Sequence, residues 1–366
     1  MPYEKLDDSQ IVTKPLSERE SFIDIRQAGK DPLMPLGEVS DLVSAQLDRL
    51  AEKIKSARSA GATVSICYGA HLIKNGGGTY VNWLVENDWV THVATQGAGI
   101  IHDWEFAFGG VSSESVEANA PVGEFGSWAE TGRAINTAAV WGAAHGMGLG
   151  EAIGKLIEED GVLFPHPGSL MRAMDADQLG ELTAAKADLL RFMAKNEIEV
   201  GRWDITHKFK QYSVPAACYR KGIPMTVHPG IGYDIYTNHP MFSPAALGRA
   251  AGTDARIFAK QAENLTGGVY LSVGSAIMSP QVFEKAFSLA NNVRNARGED
   301  FISQHYIGIV DIQDGGNWDW TQGEPPKEHP AYYLRFCKSF YRMGGMVDYL
   351  CFDNCQTLSN LIKRLA

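Results

Sequence analysis

The chain has 366 residues, 45% of them hydrophobic, enough for one large core or two smaller ones. Lys plus Arg number 33 against 43 Asp plus Glu, a formal charge of −10. That balance argues against a nucleic-acid or anionic-membrane surface; it suits a small cationic substrate and equally suits plain solubility. Five widely spaced cysteines without a CxxC point to reduced thiols. The charged start MPYEKLDDSQ gives no export signal, and no run of about eighteen apolar residues offers a membrane span. A cytoplasmic protein is expected.

Residues 1–37 are polar and dotted with Pro2, Pro15, Pro32 and Pro35, which predicts an arm of the kind laid on a partner subunit. Residues 38–366 read as one α/β domain. Leu42, Leu47, Leu50, Ile54 and Ala57 recur at helical spacing over 39–60, and Gly61 stands where a left-handed cap is wanted. The run ATVSICYGA then reads as a buried strand opening into a loop. A helix over 79–87 leads to a second strand, VTHVAT, which ends in Gly97-Ala98-Gly99 before a helix near His102 and Asp103. Strand, helix and strand make a βαβ unit with a parallel sheet. Residues 131–196 look mostly helical. Further strands are expected at 223–229, 267–274, 302–311 and 346–353, with helices at 279–291 and 332–343. The sum is a Rossmann-like, doubly wound, mostly parallel sheet of about six strands with helices on both faces.

In such a sheet ligands lie outside the carboxyl ends of the strands. The loops there carry Gly69-Ala70-His71, Gln96-Gly97, Gly230 to Asp234, Gly274, Asp314 to Trp320, and Asp353-Asn354. Glycines let backbone N–H groups approach a phosphate or a flat ring, and acids there can take ribose hydroxyls. Each loop alone is equally explained by the needs of a βα turn; the repetition at one end of the sheet is the signal. No Walker A motif is present. The GxGxG at Gly146, Gly148 and Gly150 follows a helix-like run rather than a strand, so it reads as a packing or helix-start feature.

The order of these loops resembles the deoxyhypusine synthase family. The likeness runs from ICYGAHLIKNGGGTYVNWLVENDWVTHVATQGAGIIHDWEFAFGG through GEF, GIPMTVHPGIGYDIY, GGVYLSVGSAIMSPQVFEKA and VDIQDGG to YLCFDNCQTLSNLI, about residues 63–362. GAGIIHDWEFAFGG also resembles the NAD-binding domain of archaeal-type ornithine cyclodeaminases. The resemblance implies a homotetramer that binds NAD. It implies cofactor contacts at Ala70, His71, Lys74, Thr95, Gln96, Gly97, Asp234, Gly274, Asp353 and Asn354. His102 and Asp103 fall on the paired polar residues beside nicotinamide and substrate, and the loop of Asp314, Trp318, Asp319 and Trp320 falls on the polyamine-binding loop.

Two departures matter. The family's imine-forming lysine is replaced by Tyr349, and its Lys-His pair falls on Ser279-Pro280. An imine needs a primary amine, so aminobutyl transfer to a protein lysine is not expected. What is expected is an NAD-dependent enzyme acting on a small amine, polyamine or basic amino acid. His102 would move a proton, Asp103 would orient it, and alternating acids and indoles would hold an ammonium ion. The alternative is a non-catalytic NAD-binding protein of the same fold, or an ornithine cyclodeaminase-like enzyme. A metal site of His102, Asp103 and Glu105 is disfavoured, because only i and i+3 share a helix face.

Overall fold

The computed structural model describes residues 3–34 and 36–366; Pro2 and Pro35 of the expected arm lie outside the described residues. Six parallel strands form one sheet: β1 (Val64–Tyr68), β2 (His92–Gln96), β3 (Met225–His228), β4 (Val269–Val273), β5 (Tyr306–Asp311) and β6 (Met346–Cys351). Their spatial order is β6-β5-β4-β1-β2-β3. Read from the other edge this is 3-2-1-4-5-6, in which the winding reverses between β1 and β4. Every residue of β1 and β4 is buried, which is why VSICY and VYLSV are mostly apolar rather than alternating, with Ser65 and Ser272 the exceptions.

The helices of five residues or more are α1 (Asp41–Ser59), α2 (Ala70–Lys74), α3 (Gly78–Glu86), α4 (Gly97–Gly109), α5 (Ala129–Ala144), α6 (Leu149–Glu158), α7 (Pro167–Ala176), α8 (Thr183–Lys195), α9 (Val214–Lys221), α10 (Pro244–Glu263), α11 (Met278–Ala296), α12 (Arg335–Tyr341) and α13 (Asn354–Leu365). Alternate sheet residues feed two cores. Ile66 and Leu271 join Leu47 of α1, Leu84 of α3 and Leu361 of α13. Cys67 and Tyr270 join Phe258 of α10, Phe283 of α11 and Phe340 of α12. Helices therefore cover both faces, as the sequence predicts.

Some boundaries differ from expectation. The buried stripe of α1 includes Val43 rather than Leu42, which is exposed. The fifth strand begins at Tyr306, not at 302. The middle of the chain contains α5 to α8 but also a strand, Gly161–Phe164, paired antiparallel with Gly201–Asp204. Four residues were too few to read as a strand among helices. The described part of the arm lies along its own chain. Lys14 N–H donates to the Ser127 carbonyl at 2.9 Å, and Ile23–Asp24 pairs antiparallel with Val111–Ser112.

The GxGxG is a packing feature, as expected. Gly148 precedes α6, and Asp254 of α10 accepts bonds from Gly150 N–H (3.1 Å) and Val227 N–H (2.9 Å). A Cβ on Gly148 would strike that carboxylate. No helix among the described residues is long and apolar enough to cross a membrane.

Candidate functional site

Where β1 and β4 end side by side, the Gly69 N–H donates to the Val273 carbonyl at 2.9 Å. A Cβ on Gly69 would overlap the Gly274 carbonyl. Gly274 has φ +58°, and a Cβ there would strike the Asn354 amide. Asn354 opens α13, and its Oδ1 is buried without a hydrogen-bond partner among the described residues. An unsatisfied amide oxygen beside two side-chain-free backbones is what a polar ligand pressed against the crevice would complete. Asp353 is exposed and caps α13, accepting from Gln356 N–H at 2.9 Å.

After Gly69 the chain turns into α2, with Ala70 buried, His71 exposed and Lys74 half-buried. Lys74 lines a hollow of about 540 Å³ together with Asn75 and Asp353. It also lines a second cleft of about 220 Å³, with Arg19, Ala98, His102, Glu105 and Asp234. Gln96 and Gly97 start α4, whose N-terminus has no side-chain cap. Such an end presents free N–H groups and a positive dipole. Gly97 is packed so closely on the Asp234 carboxylate that no Cβ could stand between them. Asp234 Oδ2 accepts from Gly230 N–H (2.7 Å) and Tyr236 O–H (3.2 Å), and burial raises its pKa. Thr95 is fully buried, its hydroxyl donating to the Tyr68 carbonyl at 3.0 Å. It ties β2 to β1 and faces no cleft.

His102 sits on the cleft wall with Nδ1 2.8 Å from Ser112 Oγ. Ser112 in turn donates to Glu105 Oε2 at 2.5 Å. Glu105 is held by both Arg19 guanidinium nitrogens, at 2.7 and 2.8 Å, and by the Thr131 hydroxyl at 2.9 Å. Burial pushes His102 down to about 4, so the ring is neutral near pH 7. Its Nε2 makes no hydrogen bond among the described residues, and the residue lines the cleft.

Two further expectations are corrected. Asp103 does not orient His102: its carboxylate accepts from Ser213 O–H (2.6 Å) and Val214 N–H (2.9 Å), bonding the start of α9 from inside the core. Burial raises it to about 7. Successive residues on a helix point about 100° apart, so His102 and Asp103 face different surroundings.

The acid-and-indole loop does not converge on an ammonium site. Trp320 is buried in the core, Trp318 Nε1 donates to the Gly323 carbonyl at 2.9 Å and packs on His329. Asp314 and Asp319 each cap their own turn by accepting from Gly316 and Thr321 N–H. Glu105 takes the place expected of Asp103 as the carboxylate linked to His102. Among the described residues no three His, Cys, Asp or Glu side chains gather as metal ligands.

At the departures from the family pattern, Tyr349 O–H donates to the Gln313 carbonyl at 2.5 Å, and Ser279 bonds Tyr270 O–H at 2.8 Å inside the core. Neither position offers a nucleophile. His228 and His239 are tied into local structure, His239 accepting from Met241 N–H at 3.2 Å. Sequence reasoning missed Arg19, Ser112 and Thr131 altogether. Glu105 was within reach, because i and i+3 share a face.

No family model matches the chain, and no curated protein matches it significantly. Solved structures do align with it. The ternary complex of AgrE with ornithine and NAD+ is 15% identical, with a TM-score of 0.44 over 90% of this chain and 34% of that one. ArgZ, an arginine dihydrolase from the ornithine-ammonia cycle in cyanobacteria, is 14% identical, with a TM-score of 0.43 over 90% and 32%. A conserved LOR/SDH protein from Methanococcus maripaludis S2 is 13% identical, with a TM-score of 0.44 over 92% and 72%. The chain thus spans about a third of the length of the first two. Likenesses this distant concern the course of the backbone and leave the chemistry to the residues themselves.

Proposed function

We propose that this chain binds NAD across the β1/β4 reversal and acts as an enzyme on a small amine or basic amino acid. The observation that carries this is the neutral His102, its Nε2 unbonded, in a cleft that shares Lys74 with the hollow lined by Asn75 and Asp353. Gly69 and Gly274 would admit the flat or phosphate-bearing parts of the cofactor, the uncapped start of α4 would face negative charge, and the second oxygen of Asp234 would take a hydroxyl. NAD supplies a hydride acceptor when bound. His102 would take the proton that leaves the substrate nitrogen, and Glu114 on the cleft wall would face its ammonium form.

Aminobutyl transfer of the deoxyhypusine synthase kind is left out, since Tyr349 supplies no amine. That same loss, with the acid-and-indole loop folded on itself, favours the second reading, a cofactor-binding protein without turnover. Assembly as a homotetramer belongs to the proposal and is checked by sedimentation.

The test is a thermal-shift series with NAD, alone and with ornithine, arginine or spermidine. A ligand at about 100 times its Kd adds about 2.7 kcal/mol of apparent stability. A shift with NAD that grows with one amine supports the enzyme reading. A shift with NAD and none of the amines supports the second. No shift with NAD removes both.

A further inference from the structure

The hydrogen bonds around Glu105 decide the protonation of His102 without reference to any ligand. Oε1 accepts from Arg19 and Thr131, and Oε2 from Arg19 and Ser112. A carboxylate has about four acceptor positions, and here each is met by a donor. Ser112 owns one proton and spends it on Glu105, so its oxygen can only accept from His102 Nδ1. The ring hydrogen then sits on Nδ1, and Nε2 carries the lone pair.

We propose that Ser112 and Arg19 are positioning residues that lock His102 as the Nδ1–H tautomer, and that the N-terminal arm is the strap that installs the lock. The arm acts at both ends of the chain of bonds. Its Arg19 reaches the buried Glu105, with side chains only 2% and 1% exposed. Its strand Ile23–Asp24 pairs with Val111–Ser112, Ile23 opposite Ser112, and Phe22 N–H donates to the Ser113 carbonyl at 3.1 Å. Leu16 N–H donates to Glu130 at 2.7 Å and anchors the segment on α5.

Without Arg19 the carboxylate loses the two donors that fix its orientation, so the Ser112 hydroxyl is no longer aimed at one oxygen and the imidazole loses its bias. With Arg19 in place, a proton arriving at Nε2 leaves Nδ1 undisturbed, and the imidazolium charge is met by Glu105 through the Ser112 hydroxyl. The proposal rests on the reading of His102 as the base only for its use, not for the tautomer.

The test is ¹⁵N NMR of the histidine-labelled protein without ligand, His102 being assigned by its loss in His102→Gln. The expected spectrum has a protonated Nδ1 and an unprotonated Nε2 near pH 7. Ser112→Ala should move the ring to a mixture or to the Nε2–H form, and Arg19→Met should do the same, each with far-UV circular dichroism kept. An Nε2–H ring in the unsubstituted protein overturns the proposal, and that measurement decides even where a variant does not fold. A folded Ser112→Ala with unchanged ring nitrogens overturns it too. Failure of NAD or amines to bind would sink the enzyme reading and leave this result standing.

Discussion

Gly69 and Gly274 meet backbone to backbone at the point where the sheet reverses its winding, so that Gly69 has no room for a methyl group, while one on Gly274 would strike the Asn354 amide. The contact places the ends of β1 and β4 close together while keeping their outer surface bare.

Gly69→Ala should therefore push the two strand ends apart. The expected cost is about 1–3 kcal/mol, the range for forcing a group into a packed site. NAD affinity should fall at least about tenfold, equivalent to about 1.4 kcal/mol. Urea unfolding and calorimetric titration read the two effects separately, and unchanged NAD affinity would move the cofactor away from this crevice.

His102→Gln should lower turnover by about 10²–10⁴, the usual worth of a positioned proton carrier, and leave the fold in place. The pH profile is the sharper check. Because burial holds His102 down to about 4, the unprotonated ring persists well below pH 6.5. Activity limited by this group should hold down to about pH 4 before it falls. An acid limb centred near 6.5 would mean a solvated imidazole.

Arg19→Met leaves Glu105 buried without its partner and should cost about 3–5 kcal/mol. Adding Glu105→Leu should recover part of that loss, because removing both charges also removes the need to solvate them. Denaturant midpoints at constant slope measure the cycle. Equal loss in the single and double variants would show that the ion pair is not what the arm contributes.

Stability should fall as pH rises from about 6.5 to 8. Asp254 is held protonated in the fold up to about 8 and Asp103 to about 7, whereas both ionise near 3.8 when unfolded. Between those values the folded chain binds more protons, so raising pH favours unfolding. The buried His207, His228, His239 and His305, each lowered to about 4, act oppositely, but only between about 4 and 6.5. Asp254→Asn should flatten the slope above pH 6.5. Thermal midpoints that are level from pH 6.5 to 8 in the parent chain would contradict this.

The sheet was legible because a strand buried on both faces announces itself as a largely apolar run without alternation; VSICY and VYLSV, each with a single serine, are such runs, and the glycines after them mark the loops. The site was legible only where it stays near those strand ends. Gly97 and Asp234, both expected at the cofactor, pack against each other, and so do Gly274 and Asn354. Asp103 misled because adjacency in sequence is not adjacency on a helix, and it bonds Ser213 instead. Arg19 could not be seen at all: it lies 86 residues from Glu105, and nothing in the arm's composition sets one arginine apart from the rest. Trp320 misled for another reason. An indole in an acidic loop looks the same whether it faces a ligand or plugs a core.

The central place of β1 also bears on how the chain is made. β2 follows it within one helical connection, but Val64 finds its other neighbour, Val269, only after about 200 further residues have left the ribosome. Until then one apolar edge of β1 has backbone groups without partners, an invitation to another nascent chain. Products cut short before residue 269 should therefore clump, while the finished chain, with that edge zipped, should not.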